Sequence, residues 1–128
     1  MNNKGGKFFP GLLASFHYAI NGIFYAFAKE RNMKIHGCIM VLVIILGFYL
    51  QIQTTEWLFL IITSGLVIAL ELINTSIEAL VDLVTEEYRH FAAVAKNVAA
   101  GAVLFSAFIA IIMGLIIFLP YLIHIFRG

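Results

Sequence analysis

Two stretches of this chain carry no formal charge: the 21 residues between Lys34 and Glu56, and the 30 residues between Lys96 and Arg127. A helix that crosses the hydrocarbon core of a bilayer needs ~20 mainly apolar residues. In lipid the backbone must satisfy its own hydrogen bonds, so such runs fold as helices. The whole chain agrees, being 62% hydrophobic and 12% charged. Soluble domains carry about a quarter charged residues, enough to coat a wet surface. These 128 residues read as one all-α membrane domain over 1–128.

The first run, IHGCIMVLVIILGFYL, predicts a membrane helix over 35–50. QIQTTEW is too short for anything but a tight connection, and Tyr49 and Trp57 flank it as interfacial aromatics do. A second helix is expected over 57–83. Its residues span ~40 Å at ~1.5 Å each, so its far end should emerge from the lipid. VTEEYRHFAAVAKN reads as a loop leading into a third helix over 96–119, with Pro120 at its end. Ala95, Ala99, Ala102, Ser106, Ala110 and Gly114 form a small-residue stripe that permits close helix packing. The single cysteine, Cys38, has no partner for an internal disulfide and reads as a small buried apolar residue.

Residues 9–30 have a different pattern. Phe9, Leu12, Leu13, Phe16, Ile20, Ile23, Phe24 and Phe27 share one helical face, with Ser15, Tyr18, Asn21, Tyr25 and Lys29 elsewhere. Pro10 suits a first turn. This predicts an amphipathic helix lying in the membrane interface. His17, Tyr18 and Asn21 interrupt the apolar run and argue against a signal peptide, despite Ala26-Phe27-Ala28.

Seven of the 8 Lys and Arg residues fall on one side of these spans, and only Arg127 on the other. The positive-inside rule then places the N-terminus in the cytoplasm and the C-terminus outside. A net charge of +1 suggests no nucleic-acid partner.

The second span carries acids where lipid disfavours them. On a helix at ~100° per residue, with Glu71 at zero, Asn74 lies near ~−60°, Thr75 near ~+40°, Glu78 near ~−20° and Asp82 near ~+20°. All share one stripe. With Trp57 at the outer interface, Glu71 is ~21 Å further in and Glu78 ~10 Å closer to the cytosol. An ionisable group at the bilayer centre costs at least ~2.5 kcal/mol, so such residues usually mark a site. Glu30 and Lys96 are expected near the same inner interface. Carboxylates, an amide and a lysine suit Mg²⁺ and phosphates, because Mg²⁺ takes one or two carboxylates and shares nucleotide phosphate oxygens. There is no Walker motif, since Gly5-Gly6-Lys7 lacks the spacing and the Ser/Thr. There is no protein-kinase signature either.

ELINTSIEALVDL, EEY and AKNVAAGAV together closely resemble the signature of the bacterial integral-membrane diacylglycerol kinase family, which includes undecaprenol kinase. SFHYAINGI, KERNMKIH and GFYLQIQTTEW resemble the same family upstream, so the likeness covers about residues 11–119. The resemblance implies a homotrimer of three-span subunits, each with an interfacial helix, in the bacterial cytoplasmic membrane. It implies transfer of the ATP γ-phosphate to a lipid hydroxyl, with Mg²⁺, at the cytoplasmic interface. Carried over by position, Glu71 resembles the catalytic base, and Glu30 and Glu78 the metal carboxylates. Asn74 and Lys96 match polar residues of the active site, Lys96 as a phosphate contact. Glu87 and Tyr88 match the loop that borders the nucleotide, and Asp82 continues the polar stripe. Asn97 departs from the pattern, for the family usually has Asp after this lysine, and an amide does not supply that charge.

The upstream segments favour the undecaprenol branch over the diacylglycerol branch. Two alternatives are a small proton-coupled transporter, with Glu71 as relay, and a non-catalytic relative that still binds nucleotide or lipid, which only Asn97 favours.

Overall fold

The computed structural model describes residues 11–127; Phe9, Pro10, Lys4 and Lys7 lie outside the described residues. Four helices follow in order: α1 (Leu12–Lys29), α2 (Arg31–Leu50), α3 (Thr54–Val84) and α4 (His90–Arg127). By length and composition α2, α3 and α4 are each able to cross a membrane. Their outer surfaces carry large exposed apolar side chains, among them Leu42, Phe48, Leu104, Phe105 and Ile116. A soluble monomer rarely shows contiguous apolar patches of this extent, whereas lipid or a second subunit covers them.

The joints are short and built from local hydrogen bonding. Glu30 alone separates α1 from α2, in an extended conformation, with its N–H donating to Ala26 O at 2.8 Å. Ala26 and Met33 are buried on either side of it. Gly37 lets α1 come close, because a Cβ there would lie 2.7 Å from Phe27 Cε1.

Between α2 and α3 the chain reverses through Gln51, Ile52 and Gln53. Gln51 takes a left-handed conformation, φ 51°, in which Ile52 N–H reaches Gly47 O at 3.2 Å. α3 starts at Thr54, ahead of the expected Trp57, because Gln53 N–H is met by Glu56 Oε2 at 2.8 Å. That satisfies a donor which the first turn would otherwise leave orphaned.

α3 and α4 form the main packing pair. At the end nearest the α2–α3 reversal Ile52, Leu60, Ile117 and Phe118 make the apolar core, with Trp57 and Tyr121 against it. Tyr121 Oη donates to Glu56 Oε2 at 2.6 Å, joining the two helices there. Ala99, Val103 and Ser106 are buried, whereas Ala102 is exposed, so only part of the small-residue stripe meets protein.

Two expectations change. Pro120 lies inside α4, which runs on to Arg127. Proline removes one backbone hydrogen bond, but breaking a helix in lipid would expose several more polar groups. Cys38 is exposed on α2, so its apolar surroundings are lipid or another subunit and not a core within the chain.

Candidate active site

Helical periodicity places the polar stripe of α3 toward α2 and α4. Glu71 is 2% exposed, and Asn74 and Thr75 are also buried. Thr75 Oγ1 donates to Glu71 O at 3.0 Å, which disposes of its hydroxyl locally. Asn74 Nδ2 donates to Glu78 Oε1 at 3.0 Å. Glu71 Oε2 and Asn74 Oδ1 are buried with no hydrogen-bond partner among the described residues. Buried acceptors are nearly always satisfied in native structures, so two together point to a missing donor or cation.

Both residues line a cavity of about 270 Å³, with Glu78 on α3, Asn32 and His36 on α2, and Ala100, Val103, Leu104 and Ala107 on α4. Glu30 and Asn97 are not among its walls. Glu30, His36 and Glu78 nevertheless lie within electrostatic range of Glu71. An apolar cavity of about 280 Å³ shares His36 and Ala107 with this one and runs on between α2, α3 and α4 as far as Phe118.

A second polar cavity, of about 320 Å³, lies over the Thr85–Arg89 connection. Asp82, Glu86, Glu87, Tyr88, Arg89 and Lys96 line it. The connection is fixed by Glu87 N–H on Thr85 Oγ1 at 3.2 Å, and Arg89 Nη2 meets Glu87 Oε2 at 3.3 Å. Lys96 Nζ donates to Asp82 Oδ1 at 2.6 Å. At the end of α1, Lys29 Nζ donates to Tyr25 Oη at 2.9 Å, and that bond raises the Lys29 ammonium above the ordinary lysine value.

The fold therefore gathers Glu71, Asn74 and Glu78 at one cavity and Asp82, Glu87, Tyr88 and Lys96 at another. His36, Asn32, Glu86 and Arg89 join them without having stood out in the sequence. Only the packing of α2 on α3 brings His36 to Glu71.

The donor set suits Mg²⁺. Glu78 and Asn74 bring carboxylate and amide oxygens to the cavity wall, the hard donors this ion prefers. No three His, Cys, Asp or Glu side chains gather as a metal cluster among the described residues.

The sequence matches the family described as prokaryotic diacylglycerol kinase over residues 17–118. The chain belongs to this family. Membership makes it a lipid kinase, a phosphotransferase acting on a lipid alcohol with ATP as donor, and decides against the transporter alternative. Within the family it is 44% identical over 117 residues to a diacylglycerol kinase of Synechocystis, covering 91% of this chain and 67% of that one. It is 40% identical over 120 residues to the undecaprenol kinase of Bacillus subtilis, covering 94% of each. The diacylglycerol kinase of Escherichia coli is 28% identical over 111 residues, 87% of this chain and 89% of its own.

Proposed function

We propose that this kinase transfers the γ-phosphate of ATP to undecaprenol in preference to diacylglycerol, as a homotrimer in the bacterial cytoplasmic membrane with its site on the cytoplasmic side. In this reading α1 lies in the interface, residues 1–128 form one domain and the C-terminus is outside. The observation that carries the site is the buried Glu71 carboxylate, with Oε2 unpartnered at a cavity wall. The undecaprenol preference is supported by the upstream motifs and by the Bacillus subtilis relative, matched over nearly its whole length.

Glu71 Oε2 accepts the proton of the lipid hydroxyl. The hydroxyl oxygen forms a bond to the γ-phosphorus as the bond to the β,γ-bridging oxygen breaks, and ADP leaves with that electron pair. Asn74 orients Glu78 through its amide. Glu30 and Glu78 would hold Mg²⁺, which supplies neutralisation of phosphate charge. Lys96 contacts phosphate, with Glu87 and Tyr88 bordering the nucleotide and Asn97 beside it. Phosphoryl transfer asks chiefly for alignment and charge neutralisation, which these residues provide. Glu30 stands outside the walls of the Glu71 cavity but within electrostatic range of Glu71.

The deciding experiment follows labelled γ-phosphate from ATP, with Mg²⁺, onto undecaprenol or diacylglycerol offered separately in bicelles. Label on undecaprenol above diacylglycerol, lost in Glu71→Gln, is the expected result. Preferential labelling of diacylglycerol overturns the substrate assignment. Full activity in Glu71→Gln overturns the assignment of the base.

A further inference from the structure

Asp82 ends the polar stripe of α3, and Lys96 lies in the second turn of α4. Their side chains meet across the connection at 2.6 Å, at the short end for a charge-assisted hydrogen bond. Both line the cavity over that connection, together with Glu86 and Glu87. Its other cation, Arg89, is already on Glu87. An incoming polyphosphate thus meets an acidic cavity whose two cations are both engaged by carboxylates. Asp82 takes one of the three donors of the Lys96 ammonium, so a phosphate oxygen at this cavity shares or competes for the same charge.

We infer that Asp82 is a positioning residue, which holds the Lys96 ammonium at the cavity wall and competes with nucleotide phosphate for its charge. The inference rests on the assignment of Lys96 to phosphate above. Asp82 has two effects of opposite sign. It orients Lys96 for the transfer step, and it competes with ATP for the same ammonium. Lys29 also lies within electrostatic range of Asp82. The pair is accessible, with the Asp82 side chain 65% and the Lys96 side chain 36% exposed, so exchange with a ligand needs no unfolding.

The test measures KM for ATP and kcat of the full chain in bicelles, for the parent, Asp82→Asn, Asp82→Glu and Lys96→Met. Asp82→Asn is expected to lower KM for ATP about 2- to 5-fold, the range of one exposed ion pair, and to lower kcat as well. Asp82→Glu, which keeps the carboxylate, is expected to stay near the parent KM. A purely structural role lowers kcat and thermal stability without improving KM. An unchanged or raised KM in Asp82→Asn overturns the proposal, the raised value being what a metal ligand would give. Asp82→Ser is read in the same way and guards against a variant that does not fold. Lys96→Met separates the two layers. A raised KM there with an unmoved KM in Asp82→Asn removes Asp82's role alone. An unmoved KM in Lys96→Met removes the phosphate assignment and the inference with it.

Discussion

Asn74 donates its amide hydrogen to Glu78 Oε1 at 3.0 Å, while its own Oδ1 and Glu71 Oε2 remain buried acceptors without donors. One side chain thus orients a carboxylate and offers a further oxygen to the cavity. Replacing it by Leu removes both functions and leaves an apolar group of similar size. Asn74→Leu should fold normally and lose about 10- to 100-fold in activity, as loss of a ligand-orienting partner typically does. Titrating Mg²⁺ against rate checks this, and an unchanged Mg²⁺ requirement would count against a metal near Glu78.

Glu71→Gln should lower phosphoryl transfer by about 10²- to 10⁴-fold, the usual contribution of a general base. It also removes a carboxylate from a buried position. Its thermal unfolding in detergent should therefore occur at or above the parent's temperature. Loss of both activity and stability would recast Glu71 as a structural residue.

Asn97→Asp restores the acid that the family pattern carries beside the lysine. With one more negative charge available at the site, kcat/KM for ATP should rise about 5-fold, the equivalent of ~1 kcal/mol from one exposed charge contact. A parent without activity that gains it in this variant would mean a scaffold silenced at Asn97. No change in an active parent would mean that the position faces neither metal nor nucleotide.

The reversal between α2 and α3 makes two predictions of opposite sign. A Cβ at Gly47 would stand 2.7 Å from Trp57 Cη2 and 2.9 Å from Cζ2. The indole is backed by Phe48, with ring centroids 4.8 Å apart, so it cannot simply swing away. Gly47→Ala should cost about 1–3 kcal/mol, as overpacking does. Gln51→Gly should stabilise by up to ~1 kcal/mol, because glycine adopts the φ 51° conformation without a Cβ clash. Unfolding in detergent reads both.

Tyr121→Phe deletes the hydroxyl that donates to Glu56 at 2.6 Å. A hydrogen bond to a charged group contributes about 1.5–3 kcal/mol, with the lower end apt for this partly buried pair. Thermal stability should fall while KM for ATP stays at the parent value, since the bond lies at the opposite end of α3 from Lys96.

The stripe of Glu71, Asn74, Thr75 and Glu78 was legible in the sequence, because a single helix at ~100° per residue fixes which side chains align. The three apolar helices were legible for the same local reason. Pairings between helices were not. Lys96 is 14 residues from Asp82 and Tyr121 is 65 residues from Glu56, separations at which sequence fixes no distance. His36 reaches Glu71 only through the packing of α2 on α3. Pro120 misled because the rule that proline ends helices is calibrated in water, where freed carbonyls find solvent.

The Tyr121–Glu56 bond sits beside the apolar cluster of Ile52, Leu60, Ile117 and Phe118. At the other end, α3 and α4 are joined by the accessible Asp82–Lys96 pair. Well-packed, largely apolar contacts resist opening, and exposed ion pairs yield readily. The hairpin is therefore clamped by packing at its open end, while at its closed end the Thr85–Arg89 connection holds the helices and leaves the ion pair free to exchange. Breaking the Asp82–Lys96 pair thus frees two side chains without parting the two helices.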